Sequence, residues 1–153
     1  MEESDEYSPS VHIRGLGVEF KSLRPLFKQV ASRIFSRHGV GKYVLSVTFI
    51  GDEDMAGLNR NSLGREGPTD VIAFDLSEEG LPFEKVGDVY ISLETARANS
   101  RRFNVSLEEE LLRLVIHGAL HVLGYADRSS AERRKMEALQ EEMVQEFSGG
   151  LGR

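Results

Sequence analysis

Residues 106–127, SLEEELLRLVIHGALHVLGYAD, constrain the fold more than any other stretch of the chain. Ser106 followed by Glu109 reads as a capping box, in which serine and glutamate satisfy each other's backbone donors at a helix start. The helix so opened runs to about Leu123 and stops at Gly124, a residue able to take positive φ and let the chain reverse. Within it, His117 and His121 lie four apart. Four residues turn a helix by about 400° and climb about 6 Å, so both imidazoles leave one face a turn apart. Two ring nitrogens placed that way can converge on one ion at about 2.1 Å. Asp127 follows Gly124 at the distance where a third ligand can swing back.

The pattern H-x-x-x-H-x-x-G-x-x-D is the spacing of metzincin ligands, with aspartate in place of the third histidine. Two neutral histidines and one carboxylate suit one Zn²⁺ per chain, with an open position for water. A carboxylate cancels more of the metal charge than a third histidine does, so bound water is expected to be less acidic. Position 118, where H-E-x-x-H proteases carry their general base, is glycine, so peptide hydrolysis by that route is not expected. Gly118 either leaves room for a bulky substrate or lets a helix pack closely; the sequence does not separate the two. The plainer alternative for the whole motif is two histidines packed on an amphipathic helix, with Asp127 helping to cap the next one.

The remaining segments supply the framework. Residues 11–20 suggest an irregular strand broken by Gly15 and Gly17. Residues 22–37 carry Leu23, Phe27, Val30 and Ile34 at helical spacing, with Pro25 tolerable only in the first turn. YVLSVTFI (43–50) is β-branched and aromatic, hence a buried strand. A short helix is expected over 52–61, with Asp52 as its cap. NSLGREGPTD (61–70) is a loop. VIAFDL (71–76) and VGDVYI (86–91) are strands joined by a Gly/Pro loop, and 92–104 is helical. Ser129 and Glu132 form a second capping box, opening a helix that buries Met136, Leu139, Met143 and Phe147. The order β-α-β-α-β-β-α-α-α predicts an α+β domain with one mixed sheet of about four strands and about five helices. Residues 1–10 read as a flexible acidic tail, 11–147 as a single domain and 148–153 as a flexible tail.

Composition narrows the class. A chain of 153 residues is long enough for one well-buried core. Zero cysteines exclude disulfides, thiolate metal sites and a cysteine nucleophile, which fits a reduced, cytoplasmic setting. No apolar run approaches the ~20 residues that span a bilayer, and the acidic start is unlike a secretory signal. Net charge is −6, a weak argument against nucleic acid. Four of the acids fall in the first ten residues, whereas residues 20–43 hold six lysines and arginines and no acid. A basic face of that kind attracts phosphate, although a solvated helix face is the commoner meaning.

The motifs together resemble the YbeY family, the single-strand-specific endoribonucleases of bacterial ribosomal RNA maturation. The family pattern is H-G-x-L-H-x-x-G-Y-D-H, and this chain reads HGALHVLGYAD. Gly67 to Phe74 (GPTDVIAF) resembles the family's P-T-D-V-L-S-F strand, Gly87 to Ser92 (GDVYIS) its G-D-I-x-I-S strand, and Leu58-Asn59-Arg60 also fits. Order and spacing hold over residues 45–147.

The resemblance implies a zincin-like sheet and a bound Zn²⁺. It also implies hydrolytic cleavage of RNA at the 3′ end of the small-subunit ribosomal RNA, and a role in ribosome quality control. Partners so implied are ribosomal RNA and the small ribosomal subunit, with ribosomal proteins or a ribosome-assembly GTPase as further candidates, and no membrane. Two departures stand out. Asp127 takes the place of the third histidine, and Leu63 that of an arginine associated with activity. Arg65 and Arg60 are candidates to supply the lost charge, with solvated surface arginines as the plainer alternative. Asp70 is a candidate to orient a ligand histidine or accept a proton, with a turn-capping aspartate as the alternative. Arg97, Arg101 and Arg102 on one helix are candidates for RNA phosphates. The competing readings are a non-catalytic ribosome or RNA binder and a metal-dependent hydrolase of another substrate.

Overall fold

The computed structural model describes residues 7–151. Most of the expected acidic tail and the last two residues therefore lie outside the described residues. Four strands form one mixed sheet in the order β1-β2-β4-β3. They are β1 (Ser10–Arg14), β2 (Tyr43–Ile50), β3 (Val71–Asp75) and β4 (Lys85–Ser92). β1, β2 and β4 run parallel, and β3 closes the edge antiparallel to β4. The five α-helices are α1 (Arg24–Arg37), α2 (Asp52–Leu63), α3 (Leu93–Arg102), α4 (Leu107–Val122) and α5 (Ser130–Phe147). The α+β class, the single mixed sheet and the order of elements are those the sequence predicts. The irregular first strand ends sooner: Val18–Leu23 is a 3₁₀ turn leading into α1.

β2 buries every second residue, Tyr43, Leu45, Val47 and Phe49, as the two-residue side-chain period of a strand requires. Register carries that face across the sheet: Ile13 lies beside Val47, Val47 beside Val89, and Val89 beside Ala73. Helices α1 and α4 pack on the sheet, and α5 packs on α4. α4 therefore sits in the middle of the domain. Ten of its sixteen residues are buried, so its two histidines project from a rigid element.

α4 lies unusually close to β4. A Cβ built on Gly118 would sit 2.5 Å from a methyl carbon of Val89, and one on Gly87 would sit 2.6 Å from the methyls of Val122. Each element thus offers a glycine to the other's valine. This decides between the two readings of Gly118: the missing side chain lets the helix meet the sheet.

Both expected serine caps form. Ser106 accepts from Glu109 N–H, and Ser129 and Glu132 make the full reciprocal box. Asp52 does not cap α2. The cap position is Gly51, and the Asp52 N–H donates to the Glu94 carboxylate of α3. The Asp52 side chain instead accepts from Ser92 and Thr95 hydroxyls at the start of α3. The two helix starts cap one another, and only tertiary proximity supplies such partners.

Candidate metal centre

His117, His121 and Asp127 come together, each offering one ligand atom within 4.8 Å of the others'. The two Nε2 atoms are 3.0 Å apart, and His121 Nε2 is 3.6 Å from Asp127 Oδ2. Ligand atoms at about 2.1 Å from one tetrahedral ion stand roughly 3.4 Å apart, so the spacing suits a single cation. Gly124, with φ +106°, ends α4 and turns the chain so that Asp127 faces His121. Asp127 does not serve α5, whose cap is Ser129.

The hydrogen-bond partners of His117 set its tautomer. Arg113 Nε donates to Glu141, and Gln140 Nε2 donates to the same carboxylate. A carboxylate accepts only, so the amide nitrogen of Gln140 must point that way. Gln140 Oε1 then faces His117 Nδ1 at 2.6 Å and can only accept. Nδ1 carries the proton and Nε2 presents a lone pair to the cluster, the form a metal ligand needs. Burial, reinforced by neighbouring His117, holds the His121 pKa below its ordinary value, against the opposing pull of Asp127 and the Tyr125 backbone. His121 is thereby biased toward its neutral form, and the set of two imidazoles and one carboxylate fits a divalent cation.

Arg113 anchors this chain of bonds. It reaches Glu109 and Glu110 on its own helix and Glu141 on α5. Those three carboxylates keep its guanidinium firmly charged. Glu110 is nearly fully buried, and burial pushes its pKa up despite the pairing with Arg113.

A cleft of about 520 Å³ opens beside His117, lined by Asp70, Asn99, Phe103, Arg113 and Gln140 among others. Asp70 precedes the edge strand β3 and accepts from Asn99 Nδ2 at 3.2 Å. Of the two catalytic candidates, Asp70 shares the cleft with His117, whereas Arg65 is an exposed loop residue that does not line it. Leu63 is exposed at the end of α2. Asn59, in the motif just before that loop, is buried and donates to the Gly67 carbonyl, tying α2 to the chain that leads to Asp70. Arg97, Arg101 and Arg102 are exposed on α3; Arg97 stands 3.9 Å from Glu19 and Arg102 lies over the Phe103 ring. In the basic segment, Arg37 is paired with Glu146.

Sequence reasoning missed Gln140, Arg113 and a further pair. His38, at the end of α1, donates from Nδ1 to the Ile34 carbonyl, so its Nε2 accepts the Tyr125 hydroxyl at 2.9 Å. Tyr125 lies in the turn that delivers Asp127. Its partner is 87 residues away, so no local pattern signals the bond.

The family model described as Endoribonuclease YbeY matches residues 13–148. The chain is 35% identical over 132 residues to endoribonuclease YbeY of Halalkalibacterium halodurans, covering 80% of this chain and 82% of that protein. It is 41% identical over 111 residues to the protein of that name from Bacteroides fragilis, covering 72% and 75%. The solution structure of TM1509 from Thermotoga maritima superposes with a TM-score of 0.64 at 30% identity, covering 92% of this chain and 90% of that one.

Proposed function

The chain belongs to the YbeY endoribonuclease family, and on that premise we propose that it is a metal-dependent, single-strand-specific endoribonuclease of ribosomal RNA. The observation that carries the reading is the convergence of His117, His121 and Asp127, with the His117 tautomer set by Gln140. These three residues would hold one Zn²⁺. Bound there, the ion would polarise a phosphodiester oxygen and lower the pKa of water at neutral pH.

The protein's own groups do the rest. Gln140 keeps the proton on His117 Nδ1 and so keeps Nε2 available. Asp127 adds the negative charge that two neutral imidazoles lack. Asp70, bonded to Asn99 on the wall of the cleft that His117 lines, would be the carboxylate that accepts a proton from the attacking water. A protease reading has no support at position 118, because a side chain there would run into Val89. The substrate is the 3′ end of small-subunit ribosomal RNA, with the small subunit, its proteins or an assembly GTPase as partners in ribosome quality control. The compartment is the cytoplasm; among the described residues no helix is long and apolar enough to cross a membrane.

The test incubates wild type and His117→Ala with a small-subunit RNA fragment, with and without chelator. Cleavage that needs both the histidine and the metal is expected. Cleavage indifferent to both would trace to a contaminant, and binding without cleavage would favour a non-catalytic binder, in line with Leu63 at the position of the family arginine.

A further inference from the structure

We propose that Phe103 is a stacking platform for one unpaired nucleobase, placed at the rim of the cleft that His117 lines. This deepens the ribonuclease reading and rests on it. Among the described residues, Phe103 is the one large hydrophobic that is both exposed, at 56%, and part of this cleft. It also lies outside the hydrophobic core cluster and the side chains packed against it. Packing therefore gives no reason for an aromatic ring there.

The backbone fixes where the ring is presented. Phe103 ends α3 with its N–H on the Asn99 carbonyl, Asn104 takes the left-handed conformation at φ +56°, and Val105 N–H returns to the Ser100 carbonyl. The Arg102 guanidinium stands 5.4 Å from the ring centroid. A ring with a cation on one side and solvent beside it suits a base, because every base has a π-face and stacking needs no particular sequence.

Electrostatics decide what enters. The cleft wall carries Asp70, Glu110, Glu137 and Glu141 against Arg113 alone. Arg113 is already engaged by Glu109, Glu110 and Glu141. Away from the cation a phosphate is disfavoured on such a wall, whereas an uncharged base is not. Only the scissile phosphate would meet the ion held by His117; the flanking phosphates would pass outside, along Arg101 and Arg102 at the end of α3. Base entry also accounts for single-strand selectivity, since a paired and stacked base has no free face to offer.

The test uses the full chain and a labelled single-stranded oligoribonucleotide, read by fluorescence anisotropy before and after chelator treatment. Phe103→Ala should weaken binding by about 5- to 150-fold, the range of one lost base stack, with metal content and melting temperature unchanged. Phe103→Trp should bind within about 3-fold of wild type by the same reasoning. Phe103→Leu keeps an apolar side chain should alanine disturb the fold, and it should weaken binding as well. An oligonucleotide with one abasic position, moved along its length, should lose affinity for wild type but not for Phe103→Ala. Wild-type affinity in Phe103→Leu, or an equal abasic penalty on both proteins, overturns the stacking site and leaves the nuclease reading standing. A wild-type protein with no affinity for single-stranded RNA overturns both.

Discussion

Replacing Gly118 with alanine tests the claim that this glycine is there to seat a helix on a sheet. In a helix, Gly→Ala ordinarily gains about 1 kcal/mol. Here the new Cβ would stand 2.5 and 2.9 Å from the two methyl carbons of Val89, against an ordinary carbon–carbon separation of about 3.5–4.0 Å. Val89 cannot move away easily. It is fully buried, lies on a strand paired on both sides, and has a stiff β-branched side chain. Overpacking of this kind costs about 1–3 kcal/mol. The net is therefore a loss of up to about 2 kcal/mol, or a few degrees in Tm for a domain of this length. The Val89→Ala background sharpens the test. That change alone should destabilise by about 2 kcal/mol through two lost methyl groups and a cavity, and it also removes the obstruction. Gly118→Ala should then become stabilising, so the two sites couple by about 1–3 kcal/mol. Urea melts of the four proteins with chelator present measure this without a contribution from metal. The same effect of Gly118→Ala in both backgrounds would refute close packing as the reason for glycine.

Gln140→Ala should lower zinc affinity by about 10- to 100-fold, the usual result of removing a partner that orients a ligand histidine; competition with a chromophoric chelator reads it directly, and unchanged affinity would show that Gln140 does not set the His117 tautomer. The acid stability profile should carry two opposed contributions. Hydrogen bonding to Arg113 holds Glu141 below the ordinary glutamate pKa, so its stabilisation is present above that value and is lost as pH falls through the depressed one. Burial pushes Glu110 above the ordinary value, so the unfolded chain releases that proton first as pH rises, and ionised Glu110 opposes folding above its raised pKa. Denaturant midpoints from pH 3 to 8 should therefore show Glu141→Gln losing ground against wild type as pH rises, and Glu110→Gln gaining it; shifts of the same sign would contradict the assignment.

The local parts of this protein are written in local sequence. The two serine caps, the alternation in residues 43–50 and the helical spacing in α1 and α5 each depend on neighbours within a turn or a strand. The element order, the mixed sheet and the histidine pair followed from them. So did Asp127 as the third member of the cluster, because the spacing H-x-x-x-H-x-x-G-x-x-D is a property of one helix and its terminating turn.

What the tertiary structure decided is everything that depends on who meets whom across the chain. Asp52 looked like a cap because caps are normally local, yet α3 occupies it and the Glu94 carboxylate serves α2 in its place. Gly118 left room for a substrate and close helix packing equally open in sequence, and the Val89 methyls against it decide for packing. Gln140 and Arg113 lie on different helices and have no shared periodicity, but together they choose which nitrogen of His117 faces His121 and Asp127. The sequence by itself determined which side chains can bind a metal. Packing of α5 and β4 against α4 determined the tautomer, the fit and the cleft, because hydrogen bonds and steric contacts act across space with no regard for separation along the chain.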